Sequence, residues 1–388
     1  MKTILMLLDN PFTNDRRVSR EALALMEVGF EIKMICTRAN GLAEKELQNG
    51  IEIIRIFDKS IFDPKKFLTH KKWGEYIENN FHFDYIHCHD QTMLSIGVSI
   101  KKNRPSVQLI YDSHELFHSW PINSTNFESW TIMLKSILVR KYFIRRELKN
   151  SRHVDYIITV NDSIASNLKK YFNFKNKILV SRNCPEYIPN QNKSNVLREK
   201  FNISPKTKIL VFLGANIYLN SLNIEQVFQE FKNEIDVAIV VISTKNEHSL
   251  QVMNYVKKMN IENVHFHDKI KPEEINQYLS SADVGLVPTW NKNDLSYWYA
   301  LDNKLFEYIQ AKIPVLATCQ PEYVKIIEPN KCGVCINADK KNAYLNGYKS
   351  ILSNYKYYQS NSDLTAKKIS WDNEKNKIQE FYKQLAHE

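Results

Sequence analysis

The feature that most constrains this chain is a rhythm of short apolar, β-rich runs separated by helical stretches, and the rhythm runs twice. In the first half Thr3–Leu8, Glu31–Cys36, Ile51–Ile56, Tyr85–Cys88, Leu109–Tyr111, Tyr156–Val160 and Ile178–Val180 read as strands. Asp9–Asn14 reads as a loop, and Asp15–Val28 as a helix with Leu23, Leu25 and Met26 inward. Strands alternating with helices require crossovers, which give a parallel sheet covered by helices. The alternation restarts with strand Ile209–Leu213, helix Ile224–Phe231 and strands Val237–Ile242 and Asn263–His267. Helix Pro272–Ser281 and strand Ala282–Val287 follow. With 388 residues, each half has chain enough for its own core. The expected class is α/β with two Rossmann-like domains.

The expected boundaries follow from composition. Residues 1–183 form the first domain and 184–206 the linker, because Gln191–Lys206 is polar, rich in Asn and Lys, and holds Pro205. Residues 207–365 form the second domain. Ile369-Ser370-Trp371-Asp372 opens a terminal helix within 366–388. Ligands in open parallel sheets bind beyond the carboxyl ends of the strands. That rule puts Asn10, His89, Asp90, His114 and Glu115 on one rim.

The second half has a more specific stretch, Leu301–Thr318, LDNKLFEYIQAKIPVLAT. Asp302 suits an N-cap, with Asn303 and Lys304 in the first turn, where backbone N–H groups lack helical partners. Leu305, Phe306, Tyr308 and Ile309 make an apolar stripe, and Asn303, Lys304 and Glu307 lie on or beside one polar face. Pro314 ends the pattern and Ile313–Ala317 is β-rich. A helix N-terminus carrying an amide and a lysine suits a diphosphate. A carboxylate one turn deeper can accept hydrogen bonds from ribose hydroxyls. The same residues also fit a solvated face with Glu307 paired to Lys304 at i, i+3.

NKLFEYIQAKIPVLAT resembles the nucleotide-sugar signature of the retaining, GT-B-type glycosyltransferases of glycosyltransferase family four. DYIHCHD, LIYDSHEL and NDRRVSREALAL resemble that family's first domain. ADVGLVP resembles a strand of its second domain, and the ISWD helix its last helix, which crosses back onto the first domain. The resemblance implies two Rossmann-like domains facing each other across a cleft. It implies a donor site at Asn303, Lys304 and Glu307, with Gly214 and Tyr299 at equivalent donor positions. His114 would lie beside the donor sugar, and His114 and Lys304 would be catalytic. Asn10, His89, Asp90 and Glu115 become acceptor-side candidates. The chain also departs from the family. Its first loop, Asp9-Asn10-Pro11-Phe12-Thr13, has Pro11, which has no N–H to offer, where the family has a glycine pair. Ala215–Asn220 carries no cation where the family places Arg and Lys, and Tyr299 stands in place of the first of two glutamates.

The implied activity is transfer of a sugar from a nucleotide diphosphate donor to a glycan or lipid-linked acceptor, in cell-surface polysaccharide or glycoconjugate synthesis. Two alternatives share the architecture: a nucleotide-sugar 2-epimerase, and a degenerate partner of another glycosyltransferase. No cofactor is expected beyond the nucleotide sugar, and no metal. The chain has no Asp-x-Asp pair, and Cys332 and Cys335 have no second CxxC. His87 and His89 share a strand face but need a third converging ligand. The net charge of +10 concentrates in Pro64–Trp73 and in Ile132–Arg152, with Arg140, Lys141, Arg145, Arg146 and Lys149. Interleaved with Trp130, Leu134, Leu138, Tyr142 and Phe143, these residues suit either an anionic membrane surface or a helix packed on the sheet. No nucleic-acid module appears. No apolar run reaches the roughly 18 residues of a membrane span, and MKTILMLLDN is too short in its apolar core for a signal peptide. The expected location is cytoplasmic, peripheral on the inner face of the plasma membrane.

Overall fold

The computed structural model describes every residue except 14, 63–67, 120–129, 190, 220–222 and 388. The chain divides into two compact units, Met1–Arg182 with Glu374–Glu388, and Asn183–Asn373.

The first unit begins β1 (Thr3–Leu7), α1 (Arg16–Glu27), β2 (Glu31–Thr37), β3 (Lys45–Gln48) and β4 (Ile51–Phe57). It continues with α2 (Leu68–Asn80), β5 (Tyr85–His89), α3 (Asp90–Asn103), β6 (Gln108–Ser113) and α4 (Trp130–Asn150). It closes with β7 (Tyr156–Thr159), α5 (Asp162–Tyr171) and β8 (Ile178–Val180). The strands form one eight-stranded sheet in the order β3-β4-β2-β1-β5-β6-β7-β8. Every pairing is parallel except β3 with β4. β1 is buried along its whole length, as a strand covered on both faces by helices must be. Asp15 caps α1 by accepting a hydrogen bond from the Val18 amide at 3.1 Å. β3 was not foreseen. Its sequence, KELQ, lies on the sheet edge with Leu47 75% exposed, so it carries no buried alternation to betray it.

The second unit runs α6 (Val196–Phe201), β9 (Lys208–Leu213), α7 (Ile224–Phe231), β10 (Val237–Ile242) and α8 (Glu247–Lys258). Next come β11 (Val264–His267), α9 (Ile275–Ser280), β12 (Val284–Val287), α10 (Leu295–Trp298) and α11 (Asn303–Gln310). Last are β13 (Val315–Thr318), α12 (Pro321–Asn330), β14 (Gly333–Ile336), α13 (Ala343–Ser353) and α14 (Tyr355–Lys368). Its six strands are all parallel, in the order β11-β10-β9-β12-β13-β14. Gly285 of β12 makes room for α11, since a Cβ there would lie 2.2 Å from the Tyr308 ring of that helix. With hydrogen in its place, the Tyr308 hydroxyl accepts from Leu213 N at 2.8 Å and donates to Leu286 O at 3.2 Å. One buried side chain thereby pins α11 to β9 and β12.

The described part of 184–206 is not a linker but part of the second unit. Asp283, fully buried, binds Arg198 at 2.7 Å and Lys193 at 2.9 Å, and Leu197 beside them is buried. The polar composition that suggests a linker is the set of partners a buried carboxylate requires. The last helix, α15 (Trp371–His387), starts later than 366 because α14 extends to Lys368. From Glu374 onward α15 belongs to the first unit, where Ile378, Tyr382 and Leu385 are buried. There Gln379 donates to Ala24 O at 2.9 Å.

Candidate functional site

Strand order reverses between β1 and β5 in the first unit, and between β9 and β12 in the second. In parallel sheets such switch points, at the carboxyl ends, are where ligands bind.

In the first unit the switch point leads to His114, just beyond β6. Its Nε2 lies 3.2 Å from Asp112 Oδ2, and its Nδ1 lies 3.4 Å from Asp90 Oδ2. Its backbone amide donates to Asp90 Oδ1 at 3.2 Å. With a carboxylate facing each ring nitrogen, both nitrogens carry hydrogen. Burial works against this charge, but Asp90 and Asp112 prevail and push the His114 pKa up to about 9. Asp90 takes a left-handed backbone, φ 64°, a conformation a non-glycine residue holds only when its surroundings fix it.

Beneath His114 lies a buried charge array. Arg17 Nη2 is 3.1 Å from both oxygens of Asp112 and 3.2 Å from Glu21 Oε1, while Nη1 donates to Ser181 O at 3.0 Å. Burial alone would neutralise Asp112, but Arg17 and His114 hold it well below the usual carboxylate range. Burial pushes Glu21 upward, opposed by Arg17. Glu21, His87, His89 and Asp112 each offer a ligand atom, and these atoms lie within 4.8 Å of one another. The Arg17 guanidinium stands among the two carboxylates of that set and supplies the positive charge a metal ion would bring.

One expected rim residue is placed differently, and a second is held by its own loop. His89 is not on the rim: it is buried, stacked on His87 at 4.2 Å, with its Nδ1 3.4 Å from Asp112 Oδ2. Burial and the neighbouring His87 push its pKa down to about 3. Asn10 is used by its own loop, donating to Asp15 at 3.0 Å and accepting from Phe12 N at 2.8 Å. Asp90 and His114 remain half-buried at the rim and Glu115 is exposed. Beside them, burial and Asp90 push Asp9 up to about 6.

In the second unit the switch point leads to the N-terminus of α11. Asp302 occupies the N-cap position but makes no side-chain capping bond. Its carboxylate instead binds Lys304 Nζ at 2.5 Å and accepts from Thr289 Oγ1 at 2.9 Å. Burial works against the Asp302 charge, but Lys304 keeps it below the usual range. Lys304 Nζ lies 5.5 Å from the centre of the Phe212 ring. Asn303 is exposed and Glu307 half-buried one turn on. Gly214 follows β9, its amide donating to Ile242 O at 3.0 Å. Half-buried Tyr299 caps α10. Of the Ala215–Asn220 loop, Asn220 lies outside the described residues; Asn216 accepts from Asn246 at 2.8 Å.

Two family models match the chain: Glycosyltransferase Family 4 over residues 15–184, and Glycosyl transferases group 1 over residues 207–354. The chain belongs to glycosyltransferase family 4. Solved structures share its GT-B fold at low identity. Sucrose-phosphate synthase from Thermosynechococcus elongatus is 15% identical over 100% of both chains, with a TM-score of 0.77. A glycosyltransferase from Rickettsia africae is 16% identical over 99% of this chain and 98% of that one, TM-score 0.72. Anabaena HepE in complex with UDP is 11% identical over 100% of both, TM-score 0.69. No curated protein matches.

For this family-4 chain, sequence reading passed over Arg17, Glu21 and Tyr382. A signal was present for two of them. Arg17 and Glu21 stand at i, i+4 on the stripe of Val18, Ala22 and Leu25, and charges on an apolar face must find one another. Nothing local marks Tyr382. The basic helix α4 is divided: Lys141, Arg145 and Lys149 are exposed, while Arg146 folds back over Phe143, 4.8 Å from the ring centre. Glu147 is buried on the Tyr111 hydroxyl at 2.8 Å. Of the other basic stretch, 63–67 lies outside the described residues. The six cysteines are free thiols, and burial pushes Cys332 up to about 12 and raises Cys335 further.

Proposed function

We propose that this glycosyltransferase is a retaining enzyme that moves a sugar from a nucleoside diphosphate donor to a glycan or lipid-linked acceptor. The observation that carries the reading is the α11 N-terminus, where Lys304 and the first-turn amides stand at the switch point of the second sheet with Glu307 one turn on. In this reading the diphosphate approaches Lys304, and Asp302 yields part of its hold on the ammonium. Negative charge on the departing diphosphate grows as the glycosidic bond breaks. A fixed cation and a helix terminus therefore stabilise the transition state more than the ground state. Glu307 accepts the ribose hydroxyls. His114, held as an imidazolium by Asp90 and Asp112, brings positive charge to the sugar, and so it does not take a proton. The expected reaction needs no metal, since Lys304 and the helix dipole do the neutralising.

The test is calorimetric titration with nucleoside diphosphates and their hexose conjugates, followed by turnover with and without chelator. Binding by wild type and its loss in Lys304→Met are expected. A chain that binds no nucleotide sugar would sink this reading and favour the degenerate partner, which the cation-free Ala215–Asn220 loop supports. Turnover lost in chelator and restored by manganese or magnesium would remove the metal-free part alone.

A further inference from the structure

The second unit holds a cavity of about 250 Å³ that the transfer chemistry does not use. It is bounded by the residues just before β12 and β13, by α14 and by residues 191–193, all within that unit. It therefore lies at the amino end of the sheet, while the α11 N-terminus stands at the carboxyl end.

The charges around this cavity are already matched. Lys193 Nζ lies 2.9 Å from the buried Asp283, and Lys312 Nζ lies 3.0 Å from Asp363. α9 and α11 both end beside it, and helix C-termini carry partial negative charge. An anion thus finds no spare cation here. What remains uncommitted is neutral. The side chains of Asn192, Gln359 and Ser360 make no hydrogen bond among the described residues. Ser280 Oγ donates to Gln277 O at 3.0 Å and keeps its lone pairs. Ala282, Ala311 and Ile313 add a small apolar surface. Amides and hydroxyls beside an apolar patch match the hydroxyl edge and the C–H face of a sugar ring. The volume falls below the roughly 300–1,000 Å³ of sites for drug-sized ligands. That is too small for a nucleotide sugar and suits one ring.

A second observation marks the same place. Lys312 directly follows the C-cap of α11 with φ 59°, the left-handed position where glycine is the usual residue. A lysine held there is strained, and such strain gathers at ligand clamps. Lys331 repeats the conformation after α12, but with an exposed side chain. The Lys312 side chain is only 17% exposed and lines the cavity.

We propose that this cavity is a second carbohydrate site, holding one neutral sugar ring away from the transfer site, with Lys312 and Asp363 as its polar clamp. The binding does not depend on the donor reading above. A ring that ends a glycan would tether that chain to the enzyme and raise its effective concentration.

The experiment uses the full chain and the methyl glycosides of glucose, galactose, mannose and N-acetylglucosamine. Saturation-transfer NMR detects binding, titration gives its affinity, and Tm reports folding. At least one glycoside should bind saturably, and Lys304→Met should bind it as wild type does. Ser360→Trp, at an exposed position of α14, should abolish binding with Tm kept. Lys312→Gly should weaken binding about tenfold or more, as loss of a charged hydrogen-bond donor does. Its Tm should stay near wild type, because glycine takes the left-handed turn without strain. A trisaccharide that binds as tightly as the glycoside would support the proposal with a glycan end as occupant. Binding of monosaccharides alone would support it with a free sugar. No binding by any of the four glycosides would overturn it. So would binding that survives Ser360→Trp or fails in Lys304→Met, since the sugar would then sit elsewhere. Displacement by inorganic phosphate would make the cavity an anion site instead. Unchanged affinity in Lys312→Gly with a lowered Tm would make the lysine structural and overturn the clamp.

Discussion

At the switch point of the first sheet Arg17, Glu21, His87, His89 and Asp112 are all less than a tenth exposed. At that of the second, charge rests on Lys304 and Asp302, whose side chains are 13% and 24% exposed. The first set cannot be solvated, so each charge answers another: Arg17 spans Asp112 and Glu21, and Asp112 is shared with His114. The second is a short pair at a helix terminus, close enough to solvent for a ligand to enter it. Charges that compensate one another out of water hold geometry, and removing one strands the rest. A pair near water can exchange partners at small cost. The difference fits the proposed reading, in which the first end positions and the second binds.

The largest effect that could break this comparison is on stability. Arg17→Leu leaves Asp112 and Glu21 buried without their cation and should cost about 3–5 kcal/mol. Lys304→Met should cost less, because Thr289 still donates to Asp302 and the pair reaches solvent on one side. Denaturant unfolding of the two variants measures both, and equal losses would erase the distinction. The order should reverse in turnover, where Lys304→Met lowers kcat by roughly 10²-fold or more if it acts as an oxyanion-hole donor does. Wild-type kcat in that variant would retire the diphosphate site.

The next effect is pH-dependent. His114 has a folded pKa raised to about 9, so its contribution to stability is complete below its unfolded value of about 6.5 and is lost as pH rises through about 9. Asp112, depressed by Arg17 and His114, contributes above about 3.9 and is lost only as pH falls through its lower folded value. Melting temperature against pH should therefore decline on the alkaline side in wild type and much less in His114→Gln. Parallel curves would mean that the carboxylates do not hold an imidazolium.

Smaller again is Glu307→Gln. A ribose contact is similar in ground and transition states, so the expected loss is up to about tenfold in donor KM with kcat nearly kept. A fall in kcat alone would place Glu307 nearer the chemistry. The smallest expected effect concerns α4, where Leu138 is 66% and Leu134 38% exposed alongside Lys141, Arg145 and Lys149. Each basic side chain near an anionic bilayer contributes on the order of 1 kcal/mol, so sedimentation with anionic vesicles should be weak and fall with salt. Equal binding to neutral vesicles would assign the helix to packing alone.

Much of this molecule was written in local pattern. The apolar runs of β1, β10 and β12, and the Asn303–Gln310 helix with its cation in the first turn, follow from spacing and burial. The β3 edge strand escaped because a strand without a buried face needs no periodicity. Residues 184–206 misled because polar residues look the same whether they meet water or a buried acid such as Asp283. Partners far apart in the chain were decided only by the fold. Arg17 meets Asp112 across 95 positions and Tyr382 meets His87 across 295. Sequence sets which segments become helix or strand, because that depends on neighbours a few residues away. How Asp112 shares its charge with Arg17 and His114 depends on distances between side chains, and the tertiary structure alone sets those.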